Sequence, residues 1–150
     1  MVRAPQSLRA RALRFLAARE HSRMELERKL GPHAGSAGEL AALLDDLQER
    51  KQLSDGRYAE ARSTVLARKF GSARIAQELK ARGVSAEEAA TAVAAARSSD
   101  LERARAVWTR KFRARPASRE ERAKQARFLQ ARGFSFDVIR AVLADTEATG

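Results

Sequence analysis

Arg57 to Val93 reads RYAEARSTVLARKFGSARIAQELKARGVSAEEAATAV, and the stretch carries three helix signals in a row. A first helix is expected from about Tyr58 to Lys69. It stops before Phe70-Gly71, where glycine supplies the left-handed backbone that commonly ends a helix and Ser72 can cap the next. A short second helix follows, with Ile75 and Leu79 four apart on one face, and ends at Gly83. Ser85 and Glu88 then have capping-box spacing for a third, alanine-rich helix through about Ala96.

The pattern recurs. Downstream, Leu129-Gln130-Ala131-Arg132-Gly133-Phe134-Ser135 repeats Leu79-Lys80-Ala81-Arg82-Gly83-Val84-Ser85 with Leu, Ala, Arg, Gly and Ser in register. Upstream the copy is fainter: Leu26 and Leu30 keep the spacing of Ile75 and Leu79, and Ser22 precedes Leu26 as Gly71 precedes Ile75. A helical period of roughly fifty residues marks a repeat protein, in which no unit is expected to bury its apolar face alone and neighbours must stack. The expected fold is all-α: three tandem three-helix repeats, about 7–54, 55–98 and 99–148, stacked into one elongated domain over residues 1–150.

Composition agrees. Aromatic residues make up 5% of the 150, too few for one deep core, while an Ala-, Leu- and Arg-rich chain with three prolines suits short helices in thin layers. No cysteine is present, which excludes disulfides and thiolate metal sites; His21 and His33 have no neighbouring ligand cluster, so no metal is expected. No secretory apolar segment and no apolar run near ~18 residues is found, so a cytoplasmic protein without a membrane partner is expected. The acid-poor start, Met1 to Arg19, imitates a transit peptide, but the same residues complete the first repeat. The glycines from Gly31 to Gly38 lack the Gly-Lys-Ser/Thr of a phosphate cradle and read as a linker. No Ser/His/Asp set, paired-acid cluster or nucleotide loop is recognisable, so neither catalysis nor a cofactor is expected.

The net charge of +11 implies an anionic partner, and the charge alternates along the chain. Arg57 to Gly83 carries Arg57, Arg62, Arg68, Lys69, Arg74, Lys80 and Arg82 against Glu60 and Glu78, whereas Val84 to Glu102 carries Arg97 against Glu87, Glu88, Asp100 and Glu102. Arg103 to Phe134 is the most basic stretch, with eleven basic residues against two acidic. Stacked in register, first and second helices make a basic strip and third helices a more acidic one. The candidate binding residues on that strip are Arg68, Lys69, Arg74 and Arg82 in the middle unit and Arg110, Lys111, Arg113, Arg115, Lys124, Arg127 and Arg132 in the third. Long arginine stems also cover apolar surface, so about half of these are expected to be structural.

Elsewhere, Leu8, Ala12, Phe15 and Leu16 stripe a helix from about Ser7 to Glu20, and Ser22 with Glu25 opens a short helix burying Met24, Leu26 and Leu30. Leu40, Leu43, Leu44 and Leu47 follow Ser36 and Glu39 as the cleanest amphipathic stripe. Tyr58, Ala61 and Val65 are expected on one packed side, with the Tyr58 hydroxyl at the surface. Ser99 and Glu102 are expected to open the third unit, with Leu101, Ala104, Trp108 and Phe112 on one face and Arg103 and Arg110 opposite. Trp108 reads as core rather than a base-stacking platform. Arg113 to Glu121 is a basic insertion broken by Pro116, with Ser118 and Glu121 capping the next helix. Val138, Ile139, Val142 and Leu143 are expected to bury the last helix, with Phe134 at its entry and fraying after Asp145.

From about Ala12 to Leu143 the chain resembles RecX, the bacterial regulatory proteins of the recombinase RecA. Asp55-x-x-Tyr58-Ala59, Arg68, Gly71, Arg74-Ile75, Gln77-Glu78-Leu79 and Gly83 follow the family pattern in the middle unit. Lys124-Gln125, Arg127-Phe128-Leu129, Arg132-Gly133-Phe134-Ser135-Phe136 and Ile139 follow it in the third, and the first unit is the least similar. Ser54 stands where many members begin the unit with a second Asp, and both cap helices. The resemblance implies a curved, modular rod of three three-helix repeats that lies along the groove of RecA filaments on single-stranded DNA. It implies inhibition of ATPase, strand exchange and filament growth, and a place in recombination, repair and the SOS response. Charge adds an expectation of weak, sequence-independent binding to single- and double-stranded DNA, here by a monomer. The alternative is a helix-turn-helix protein reading DNA directly, since Gly71, Gly83 and Gly133 sit at short helix turns.

Overall fold

The computed structural model describes residues 6–148, and among these the regular structure is helical. The helices are α1 Leu8–Ala18, α2 Arg23–Leu30, α3 Ala37–Glu49, α4 Asp55–Leu66, α5 Ser72–Ala81, α6 Ala86–Ser98, α7 Asp100–Lys111, α8 Arg119–Ala131 and α9 Phe136–Ala148, with a single 3-10 turn at Gly31–His33. The expected fraying after Asp145 meets a helix that continues to Ala148, and residues 149–150 lie outside the described residues. Of the residues singled out as transit-like, 1–5 lie outside as well, and Ser7 to Ala18 form a capped helix of the first unit.

Serine starts most of these helices. Ser7, Ser22, Ser36, Ser54, Ser85 and Ser118 each accept the backbone N–H three residues on, which satisfies one of the donors a helix start leaves open. At α2 the reciprocal bond from Ser22 N–H to the Glu25 carboxylate completes the capping box. Glu39 and Glu121 instead accept one residue further back, from the N–H groups of Gly35 and Ala117. Gly83 and Gly133 take the left-handed backbone, at φ 87° and 93°, that closes α5 and α8.

Each unit encloses its own core, whereas the repeat pattern implied that no unit would bury its apolar face without its neighbours. Ala12, Leu26, Leu30, Leu40, Leu43, Leu44, Leu47 and Leu53 form the first, and Ile75, Leu79, Val84, Ala89 and Val93 with Tyr58, Ala59, Leu66 and Ala96 the second. Ala104, Val107, Leu129, Phe134, Ile139, Val142 and Leu143 form the third. Helix pairing is correspondingly strongest inside units, α4 and α5 on α6 and α7 and α8 on α9. In α4 the buried side is Tyr58, Ala59, Ser63 and Leu66, not Tyr58, Ala61 and Val65; Val65 is 47% exposed. The helix begins three residues earlier than expected, because Ser54 caps it.

The units meet through polar joints built twice to one plan. At the first joint the carboxylate of Asp55, the first residue of α4, accepts the N–H of Arg23, the first residue of α2, at 2.7 Å. At the second, Asp100 of α7 accepts the N–H of Ser72, first in α5, at 3.2 Å and its hydroxyl at 2.6 Å. Each carboxylate thus serves two helix N-termini, its own and that of the preceding unit, where a negative charge is favoured by both dipoles. The second helices also stack end to end: Ser22 Oγ donates to the Arg82 carbonyl at the end of α5 (2.8 Å), and Gly71 N–H to the Arg132 carbonyl at the end of α8 (2.7 Å).

These joints correct two sequence expectations. Gly71 is not left-handed but extended, and it is the N-cap of α5, with Ser72 inside the helix and buried. A side chain on Gly71 would meet the Gly133 carbonyl oxygen at 2.5 Å, so glycine is required for close approach rather than for φ. Ser99 makes no side-chain cap for α7; its hydroxyl turns back to the carbonyls at the end of α6, and Asp100 supplies the anion.

Three small cores in series imply an extended molecule. The accessible surface is 9803 Å², against about 7,600 Å² for a compact monomer of this mass. Solution scattering is expected to give a radius of gyration clearly above the roughly 15 Å of a compact chain of this length. A value at that limit would exclude the stacked arrangement.

The first unit also buries a titratable group. His21 is 1% exposed, with Nδ1 3.0 Å from the Arg19 carbonyl and Nε2 2.8 Å from Lys29 Nζ, so a neutral ring that donates through Nδ1 and accepts at Nε2 satisfies both. Burial, and secondarily the charges of Arg19 and Lys29, push its pKa below the ordinary histidine value. A folded-state pKa below the unfolded value means full stabilisation above about pH 6.5 that is lost as pH falls through the folded pKa. Glu25 also lies low, because bonds from Arg19 and Ser22 outweigh the upward push of burial, but it acts only at more acid pH. Thermal melts should therefore show a loss between pH 7.5 and 5 that His21→Gln flattens; an unchanged pH profile in that variant would refute the assignment.

Candidate nucleic-acid interface

The second joint gathers cations from three helix ends. Arg68 and Lys69 follow the end of α4, Arg110 and Lys111 occupy the last turn of α7, and Arg132 closes α8. Carbonyl-rich helix C-termini favour positive charge, which explains why these side chains tolerate one another without a ligand. They line a cleft of about 220 Å³ with Val107 and Phe128, and no carboxylate faces it. A second cleft of about 280 Å³ shares Arg68, Val107 and Arg110 and continues along α4 and α7 past Thr64, Ala67, Arg103 and Ala106, so together they form one groove.

Two phenylalanines hold the cations in place. Arg132 lies over Phe128 at 5.1 Å and Phe70 at 5.7 Å, Lys111 over Phe128 at 5.7 Å and Arg74 over Phe70 at 4.4 Å. Arg74 also donates to the Ala131 carbonyl at 2.8 Å, and its backbone packs on Gly133, so it ties units together rather than projecting outward. Among the candidate residues the structure thus brings together Arg68, Lys69, Arg110, Lys111 and Arg132, with Arg74 as their brace.

The other five lie apart. Arg82 lines a cleft of about 330 Å³ at the first joint with Arg19, Arg62, Tyr58 and the exposed Val65. Arg113 and Arg115 belong to the segment after α7, Arg113 exposed and Arg115 half-buried with a bonded partner, while Lys124 and Arg127 are exposed on α8 outside the groove lining. Among the described ion pairs, those of Arg9, Arg19, Arg23, Arg50 and Arg57 tie up cations of the first unit and its joint, whereas none takes Arg68, Lys69, Arg110, Lys111 or Arg132.

Arg103 points the other way from the sequence expectation. Its guanidinium enters the joint, donating to the carbonyls of Ala67 (2.8 Å), Phe70 (2.5 Å) and Ala96 (2.8 Å), to Ser99 Oγ (3.0 Å) and to the Asp100 carboxylate. Burial lowers its pKa and Asp100 raises it, with the net shift downward from the arginine range. Its role is to close the ends of α4 and α6. The spacing of Ser54-Asp55 and Ser99-Asp100 was the available signal for these joints, and the partners of either aspartate lie too far along the chain to be read from it.

Trp108 is confirmed as packed: its indole N–H donates to Gln125 Oε1 at 2.7 Å, and buried Gln125 reaches the Ala114 carbonyl at 3.3 Å, pinning the basic insertion to α8. No metal-binding group of His, Asp or Glu is found among the described residues, and no described helix is long and apolar enough to cross a membrane.

Comparison with known proteins agrees with this organisation. Residues 54–93 match the model of the second three-helix domain of RecX, and residues 98–143 match that of the third. The regulatory protein RecX of Leptothrix cholodnii is 53% identical over 137 residues, covering 91% of this chain and 87% of that protein. The regulatory protein RecX of Ralstonia nicotianae is 46% identical, covering 97% and 92%. Among solved structures, RecX from Lactobacillus salivarius superposes with a TM-score of 0.81 at 20% identity over 94% of this chain and 95% of that one, a likeness of fold. Two domain models in register with the second and third units, and identity of this order along nearly the whole length, place the chain in the RecX family of regulatory proteins.

Proposed function

We propose that this protein is a negative regulator of the RecA recombinase, without catalytic activity of its own, that binds RecA filaments on single-stranded DNA in the cytoplasm as a monomer. It inhibits ATPase, strand exchange and filament growth. The observation that carries the reading is the carboxylate-free cleft of five cations in the groove at the second joint, in a chain of this family. A filament on single-stranded DNA offers phosphate along a repeating path, and an elongated array of rigid units is suited to follow it. Binding to free single- and double-stranded DNA is weak, sequence-blind and strongly salt-dependent.

Direct helix-turn-helix reading is less well supported. Such a reader presents the N-terminal residues of a recognition helix to base edges. Here the N-termini of α2 and α5 are engaged by Asp55 and Asp100, and the first turns of α3, α6 and α8 carry Glu39, Glu87, Glu88, Glu120 and Glu121. The experiment is capture by RecA assembled on single-stranded DNA together with the DNA-dependent ATPase rate. Co-sedimentation with a falling rate is expected; binding to neither, or a strong preference for one duplex sequence, would defeat the proposal.

A further inference from the structure

We infer that the groove at the second joint holds the sugar–phosphate backbone of a nucleic-acid strand and makes no base contact; this rests on the proposed function and assigns one of the filament's two surfaces to one site. The choice between strand and protein follows from the charge. An acidic protein surface displays carboxylates interleaved with cationic groups, and a site for it carries acidic elements to match those cations. This groove has cations from α4, α7 and α8 with no carboxylate among its lining, the pattern suited to a uniformly anionic chain.

The choice between backbone and base follows from Phe128, the one aromatic ring lining this cleft. Single-strand binders without sequence preference commonly stack bases on exposed rings. Phe128 is already claimed by Lys111 and Arg132, and by Phe112, whose ring meets it edge-on at 5.4 Å and 89°. Stacking a base there would displace the cations that the phosphates require. The same contacts fix Lys111 and Arg132 before the ligand arrives, leaving Arg68, Lys69 and Arg110 as the adaptable donors.

The test compares an oligothymidylate with an abasic deoxyribose-phosphate strand of equal length by fluorescence anisotropy at low salt, with the intact protein. The abasic strand is expected to bind within about threefold of the thymidylate, because each stacked base would contribute about fivefold or more. A greater preference for the thymidylate, removed by Phe128→Leu, would overturn the inference. The second arm uses Arg68→Glu with Arg110→Glu, which should weaken both strands alike and reduce the salt dependence by about 1.4 in log–log slope. If that variant binds free strands like the parent but no longer inhibits RecA, the groove takes protein: the inference fails and the proposed function stands. If it loses the strands yet still inhibits, the inference stands and the groove's part in the proposed function fails.

Discussion

Asp100→Ala is expected to cost about 3–5 kcal/mol, the largest single-residue loss in the molecule, with a fall in melting midpoint of about 10 °C. The carboxylate is 5% exposed and does three things at once: it receives the Ser72 N–H and hydroxyl, opens α7, and neutralises Arg103. Removing it leaves a half-buried guanidinium without its counter-charge and a helix start without an acceptor, and both penalties fall on the same joint. Asp100→Asn keeps an acceptor but no charge and should lie between. Asp55→Ala is the internal comparison, because it loses one backbone bond at 2.7 Å with no buried cation behind it, and about 1 kcal/mol is expected. Chemical denaturation followed by the fluorescence of Trp108, the single tryptophan and a member of the third unit, reads the difference. Equal losses for the two alanine variants would show that Arg103 is not the reason the second joint is rigid.

Reversing Arg68 and Arg110 to glutamate is expected to raise the concentration needed for half-inhibition of DNA-dependent RecA ATPase by about a hundredfold, since like charges in an interface cost several kcal/mol. Both side chains are exposed and neither takes part in the described ion pairs, so helicity and melting temperature should stay near the parent's. Arg74→Glu and Arg132→Glu make the contrast. These side chains brace the joint through Phe70, Phe128 and the Ala131 carbonyl, so their reversal should lower stability along with binding. The matched control is Glu87→Lys with Glu88→Lys on α6, which should barely change inhibition; the Ser85 cap survives it, because Ser85 accepts from a backbone N–H. Full inhibition by the Arg68 and Arg110 double variant would take the groove out of the inhibitory contact.

What was legible in the sequence was local. Six serines at helix starts, two left-handed glycines and apolar residues three or four apart specify their own segments, because a cap or a turn is satisfied within about four residues. The two helix starts misread, at Ser72 and Ser99, are those whose cap or carboxylate partner lies across a joint. Asp100 and Ser72 are 28 positions apart, and nothing in a periodic pattern announces that bond. The same limit explains Arg103, which shares its turn of α7 with solvent-facing neighbours until the ends of α4 and α6 are packed against it.

The candidate residues divide along the same line. Sequence by itself determined that the protein is an all-helical repeat with an excess of cations on its first and second helices, since periodicity and charge are properties of order along the chain. It could not decide which of eleven cations share a site. Arg68, Lys69, Arg110, Lys111 and Arg132 converge only because α4, α7 and α8 end at one joint, while Lys124 and Arg127, on the same helix as the approach to Arg132, lie outside that cleft. Tertiary structure decided the site because the distances that matter run between helix ends, and those are set by two aspartates, a glycine close approach and a half-buried arginine bridging segments roughly thirty to sixty residues apart.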